Sequence, residues 1–261
     1  MKAVLTIAGS DCSGGAGIQA DLKTIAAHHL YGMSAITALT AQNTLGVQAI
    51  HDAPAEFVVQ ELESIFTDIV PDAVKIGMVS SGELIHVIAE KMRKYGVKNL
   101  VVDPVMVSTS GSRLLAPEAQ AALEKELLPL ATLMTPNIPE TEALTGMTIQ
   151  DAEGMTLAAK TLTQKYPQTA ILVKGGHRIN DANDLLFCNG EASWFTGERV
   201  NTENTHGTGC TLSSAIACEL AMGNPLAVAI QNAKKYLTGA LQHDPNIGHG
   251  HGPLDHLWQL G

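Results

Sequence analysis

The sequence predicts an α/β fold on a mostly parallel sheet with helices on both faces, and three observations carry that prediction. Short strand-like runs alternate with segments of helical periodicity through most of the 261 residues, which is the pattern of βαβ units. A glycine-rich stretch follows the first such run directly, as a strand-to-helix turn requires. The length suits one large α/β domain, and no linker, repeat or low-complexity segment divides it. One domain over residues 1–261 is therefore expected.

Taken in order, AVLTIA (3–8) is the first strand, and Ile18, Leu22 and Ile25 mark the apolar face of the helix after it. SAITALT (34–40) is the second strand, with Phe57, Val58, Leu62, Ile65 and Phe66 at helix spacing beyond it. AVKIG (73–77) precedes a helix carrying Leu84, Val87, Ile88 and Met92. NLVVDPV (99–105), ATLMT (131–135) and AILVK (170–174) complete the parallel set. In DLLFCNGEASWF (184–195) the pair Asn189-Gly190 separates two short apolar runs, a two-residue hairpin signal that predicts an antiparallel edge. Long helices are expected at 209–222 and 225–242, and GHGHGPLDHLWQLG reads as a glycine-rich turn with a short helix.

A formal net charge of -10 without a basic cluster argues against nucleic-acid or anionic-membrane partners, which require grouped Lys and Arg. The apolar run at the N-terminus is shorter than a secretory core, and no stretch approaches membrane-spanning length. Cys12, Cys188, Cys210 and Cys218 show no metal-binding or CxxC spacing and are expected as reduced thiols, so the cytoplasm is the expected compartment.

In a parallel sheet ligands gather beyond the carboxyl ends of the strands, and the candidate residues fall there. Gly15, Gly17 and Ala20 fit G-x-G-x-x-A, yet no acid stands between Asp21 and Asp52 to take a ribose hydroxyl, so a nicotinamide site is disfavoured; the Walker A pattern is absent. NTHGTGCTLSSAIA (204–217) places Gly207, Thr208, Gly209 and Cys210 ahead of an apolar helix, where unpaired N–H groups and the helix dipole favour an anion. Asn137 and Glu140, three apart in TPNIPETEAL, suit Mg²⁺ with its waters or, equally, an N-cap with an acid in the first turn. Lys174 ends its strand in LVKGGH, where it could complement that loop as a point charge. For His206, His249, His251 and His256, docking of the C-terminal tail is preferred to a zinc site.

AGSDCSGGAGIQADLKT, TAQNT, KIGM, DPVM, TPNIPE, VKGGH and NTHGTGCTLS, in this order, resemble the hydroxymethylpyrimidine and phosphomethylpyrimidine kinases of thiamine biosynthesis, members of the ribokinase-like superfamily. The resemblance spans essentially the whole chain. It implies a three-layer α/β/α sandwich and ATP-dependent phosphorylation of 4-amino-5-hydroxymethyl-2-methylpyrimidine, first to the monophosphate and then to the diphosphate. It implies a pyrimidine pocket of Gly9, Asp21, Gln42, Met78 and Val105, in which the Gln42 carboxamide offers a donor and an acceptor to the aminopyrimidine edge. Asp103, Asn137 and Glu140 would organise Mg²⁺, Lys174 would contact ATP phosphate, and residues 207–210 would form the anion hole, Thr208 and Gly209 also touching ATP. Many relatives have GAGD where this chain has GTGC. Cys210, at a helix start that lowers a thiol's pKa, would then stand in for the Asp base. A homodimer is implied as well, and pyridoxal or pyridoxine phosphorylation is the alternative or additional activity.

Overall fold

The computed structural model describes residues 1–106, 115–175, 182–197, 199–243 and 245–259. β1 (Ala3–Asp11) is buried almost throughout, the signature of a central strand covered on both faces. Parallel neighbours flank it: β2 (Tyr31–Asn43) on one side, and β4 (Ala73–Ile76), β5 (Leu100–Val102), β6 (Leu133–Met134) and β7 (Ala170–Val173) in succession on the other. Both edges are antiparallel. β3 (Gly46–Asp52) folds back on β2, and β8 (Asp184–Cys188) with β9 (Glu191–Phe195) extends the far side, giving the order β3-β2-β1-β4-β5-β6-β7-β8-β9.

The β8–β9 hairpin turns where expected, with Asn189 at φ 52° and Gly190 at φ 82°, both in the left-handed region that such a turn demands. The β2–β3 hairpin is not foreshadowed by any such pair: it turns at Thr44-Leu45 with the Leu45 amide bonded to the Asn43 side chain. Because β3 is mostly exposed, its sequence lacks an apolar face that would mark a strand.

Helices cover both faces. Against one pack α2 (Ala55–Phe66), α3 (Gly82–Lys94), α4 (Pro117–Ala122), which continues in wider and tighter turns to Leu130, and α6 (Ala152–Lys165), with Leu62, Ile85, Ile88, Leu127 and Leu162 facing Leu5, Ile7 and Ile76. Against the other pack α1 (Gly17–Ala27), α7 (Thr208–Ala221) and α8 (Leu226–Gln242), with Ile25, Ile216 and Ile230 over Val4, Val101 and Leu172. Each such aliphatic side chain contributes roughly 1.5–3 kcal/mol on burial, so both layers hold the sheet firmly. The short α5 (Ile138–Thr145) follows β6. No helix among the described residues is long and apolar enough to cross a membrane.

The short C-terminal helix is not formed in the described residues; turns take its place and dock the tail. The His206 amide donates to Gly252 O (3.1 Å) and the Tyr236 hydroxyl to His256 O (2.6 Å). Thr211 Oγ1 spends its hydrogen on Gly207 O, so at 3.0 Å it accepts from His256 Nε2. Burial, aided by Lys23, lowers the His256 pKa to about 4. The unfolded chain therefore binds the extra proton between that value and the ordinary 6.5, and stability falls as pH falls through this window. Urea titrations should show about 2 kcal/mol lost between pH 8 and pH 5 through this one side chain, a slope that His256→Gln should flatten. An unchanged slope in the variant would assign the acid sensitivity elsewhere.

Candidate active site

Strands are added to opposite sides of β1 before and after it returns from the β2–β3 hairpin, so the carboxyl ends of β1 and β4 form a topological switch point. Two helix starts converge there. Asp11, the last residue of β1, accepts from the amides of Ser13, Gly15 and Ala16, from the Ser13 hydroxyl and from His206 Nε2. Burial alone would raise its pKa, but the His206 and Ser13 hydrogen bonds hold it down at about 2. Asp11 thus organises the turn into α1, whose own N-cap, Ala16, has no side chain to do so.

α7 starts at Thr208 with no side-chain cap, and the amides of Gly209 and Cys210 meet no acceptor among the described residues. Gly207 sits at φ 88°, and a Cβ there would lie 1.9 Å from Gly15 O, so only glycine lets this helix start reach the β1 turn. At Gly209 a Cβ would lie 3.2 Å from Asp103 Oδ2 and 3.4 Å from Lys174 Nζ. The uncapped amides are therefore brought beside a lysine and a carboxylate. Gly176 and His177 of the VKGGH motif lie outside the described residues.

Asp103 follows β5 and Lys174 follows β7, with the intervening β6 leading into Asn137, which bridges to Lys174 in parallel. Lys174 Nζ is 2.7 Å from Asp103 Oδ1, which also accepts from Thr135 Oγ1. Asn137 and Glu140 form a reciprocal capping box at the start of α5: each side chain accepts from the other's amide at 2.8 Å. Of the two readings the spacing allowed, the cap is formed, and Asn137 Oδ1 is occupied by it. Glu140 is buried, and burial, with Asp103 adding repulsion and Lys174 opposing, raises its carboxyl to about 7.

Asp21 is fully buried and offers no accessible surface. Lys75 Nζ lies 2.9 and 2.8 Å from its two oxygens, and the Thr6 and Ser214 hydroxyls donate to it as well, so one carboxylate joins β1, α1, β4 and α7. Attraction to Asp21 outweighs burial and raises the Lys75 pKa. Cys210, partly accessible, departs from the expected lowering: burial pushes its thiol up to about 11, the Asp21 and Asp103 charges adding to the rise while Lys75 and the Gly17 amide oppose it. Desolvation outweighs the pull of Lys75 and the Gly17 amide, and the resting thiol is protonated at neutral pH.

Gly9 faces Met78, whose Sδ would be 3.1 Å from a Cβ at that position, and the Met78 carbonyl accepts from Thr37 Oγ1. Val105, half-buried, donates its amide to Asp103 O. Gln42, at the end of β2, lies beside Thr40 and His206. Sequence reasoning gave no role to Lys75 or to the Asp11–His206 pair. A lysine inside the otherwise apolar run AVKIG was the available signal for the first; the second joins residues too distant in sequence to be paired by inspection.

The family model described as phosphomethylpyrimidine kinase matches residues 11–255. The chain belongs to the phosphomethylpyrimidine kinase family. It is 47% identical over 261 aligned residues to the hydroxymethylpyrimidine/phosphomethylpyrimidine kinase of Haemophilus influenzae, covering 98% of this chain and 97% of that one. It is 49% identical to the thiamine biosynthesis bifunctional protein ThiED of Geobacter sulfurreducens, spanning 97% of this chain but only 52% of that longer relative. Among solved structures, the phosphomethylpyrimidine kinase of Clostridium difficile superposes with a TM-score of 0.83 at 48% identity, over 92% of this chain and 100% of that one. The Bacillus subtilis pyridoxal kinase bound to ADP superposes with a TM-score of 0.91 at 35% identity over the whole of both chains. The architecture is the ribokinase-like one, and the family is one of kinases acting on small molecules with ATP.

Proposed function

We propose that this chain transfers the terminal phosphoryl group of ATP to the hydroxymethyl oxygen of 4-amino-5-hydroxymethyl-2-methylpyrimidine and then to the resulting monophosphate. The observation that carries the reading is the near-full-length identity to relatives of that name, because the site geometry alone would serve other acceptors. In this reading Gly9, Gln42, Met78 and Val105 line the ring, while Asp21, fully buried against Lys75, ties β1, α1, β4 and α7 together instead of touching the ring. The amides of Gly207, Gly209 and Cys210 and the Lys174 ammonium surround the moving phosphoryl, the Thr208 amide being taken by Thr205 O, since such transfer is mostly positioning and charge stabilisation. Cys210, protonated at rest, positions the acceptor oxygen through its thiol, and only its thiolate form, reached once its own proton has left to solvent, takes that oxygen's proton.

Asp103 and Glu140 share one lysine, Lys174, and the Glu140 carboxyl is raised first by its burial, Lys174 opposing the rise and Asp103 adding to it. No group of three or more His, Cys, Asp or Glu side chains converges among the described residues. The two carboxylates of Asp103 and Glu140 would suit Mg²⁺ that keeps most of its waters, with Asn137 acting by holding Glu140. Bound there, Mg²⁺ would neutralise phosphate charge.

A mass-spectrometric time course with Mg·ATP and, in separate tubes, the pyrimidine and pyridoxal tests the reading. Sequential mono- and diphosphate is the expected result. Pyridoxal phosphate without pyrimidine product would transfer the chain to the alternative that the pyridoxal kinase likeness favours. A homodimer belongs to the same reading: Leu39, Leu45 and Ile50 are exposed on the β2–β3 edge, a surface suited to a second copy. Light scattering that returned a monomer mass would remove it.

A further inference from the structure

Asp11 ends β1, Gln42 is the penultimate residue of β2 and His206 immediately precedes the Gly207 cap of α7. His206 is buried, with Nε2 2.8 Å from Asp11 Oδ2 and 3.3 Å from the Gln42 carboxamide nitrogen. Asp11 is ionised and has no hydrogen to give, so the hydrogen in the short contact sits on His206 Nε2. That ring nitrogen then has no lone pair for an amide N–H. Two donors would face each other unless the carboxamide is turned by half a rotation, which exchanges its oxygen and nitrogen at no cost in shape.

The other end of the carboxamide gives the same answer independently. Thr40 Oγ1 lies 3.1 Å from that terminus and 3.0 Å from Ser10 O. Its one hydrogen goes to the Ser10 carbonyl, which can only accept, so towards Gln42 the hydroxyl presents a lone pair and calls for an N–H. Both neighbours thus demand one orientation.

We infer that His206 is a positioning residue that, held by Asp11, fixes the Gln42 carboxamide with Oε1 towards the imidazole and Nε2 towards Thr40. His206 Nε2–H is shared between Asp11 and Gln42 Oε1, Gln42 Nε2–H donates to Thr40 Oγ1, and Thr40 O–H donates to Ser10 O. What is left for a ligand is the second hydrogen on Nε2 and the second lone pair on Oε1, in a fixed order. A free carboxamide would offer the same pair in either order and would accept an aminopyrimidine edge turned over, with its hydroxymethyl group away from the anion hole. The inference rests on the pyrimidine reading of the site and adds the residue that sets ring orientation.

The test compares His206→Phe, His206→Gln and Thr40→Val with the unaltered enzyme, measuring KM and kcat for the pyrimidine and KM for ATP. His206→Phe removes the donor, His206→Gln restores an N–H near the same place, and Thr40→Val removes the acceptor at the opposite end while keeping shape. A pyrimidine KM raised about 10-fold in His206→Phe and in Thr40→Val is expected, the weight of one buried hydrogen bond. The ATP KM should stay unchanged, and His206→Gln should recover most of the loss. If His206→Phe fails to fold, Thr40→Val and His206→Gln decide the matter. An unchanged pyrimidine KM, or a parallel rise for ATP without recovery in His206→Gln, overturns the inference. Absence of pyrimidine turnover in the unaltered enzyme defeats the pyrimidine reading and this inference with it, whereas turnover with an insensitive KM defeats the inference alone.

Discussion

Lys75→Met is expected to lower folding stability by about 3–5 kcal/mol, because it leaves the Asp21 carboxylate charged, fully buried and short of its counter-ion. Both side chains are wholly inaccessible, so water cannot replace the lost ammonium. The remaining donors, the Thr6 and Ser214 hydroxyls, solvate the carboxylate without neutralising it. Asp21→Asn should be harmful for the converse reason, and Lys75→Met with Asp21→Leu should recover much of the loss, since a buried pair is worth far less than the cost of breaking it. Thermal and urea unfolding of the single and double variants measures the coupling directly. Additive effects would show that the two residues act separately. The same substitution bears on chemistry: Lys75 opposes the rise of the Cys210 pKa, so its loss should slow reaction of that thiol with an alkylating reagent.

The parallel core was legible because its strands are buried on both faces and read as short apolar runs between amphipathic helices. β1 and β7 are nearly unbroken apolar segments for this reason. β3 escaped notice because an exposed edge strand needs no apolar pattern, and its partner β2 runs on to Asn43, beyond the apolar run that announced it. In the site, the G-T-G-C segment was readable from glycine spacing before a helix, and Asp103, Asn137, Glu140 and Lys174 from their places after strands. The direction of the Cys210 shift was not readable: helix position is local and visible in sequence, whereas desolvation depends on what packs around the sulfur. Asn137 and Glu140 show the same limit, since an i, i+3 pair serves a cap and a cation alike and only the geometry shows the cap formed.

Lys174→Met is expected to reduce kcat about 100- to 1000-fold, the usual effect of removing one preorganised charge from a developing anion, with the pyrimidine KM little changed. Its second consequence follows from Glu140, whose carboxyl already stands at about 7 with Lys174 restraining it. Without the ammonium Glu140 moves further up, so the acid limb of the pH–rate profile, expected near neutrality in the unaltered enzyme, should shift to higher pH. Glu140→Gln separates the two effects. Glutamine can occupy the same place in the capping box, so α5 keeps its start, while the titrating group is gone. The folded protein binds a proton at Glu140 between its ordinary value and about 7, so the ionised side chain costs stability as pH rises through that window. Glu140→Gln should therefore be more stable than the unaltered protein at pH 8 and much less active, with no acid limb near 7. A kcat within tenfold in Lys174→Met, or a Glu140→Gln protein no more stable at pH 8, would mean that this charge cluster is a structural pairing rather than a site strained for catalysis.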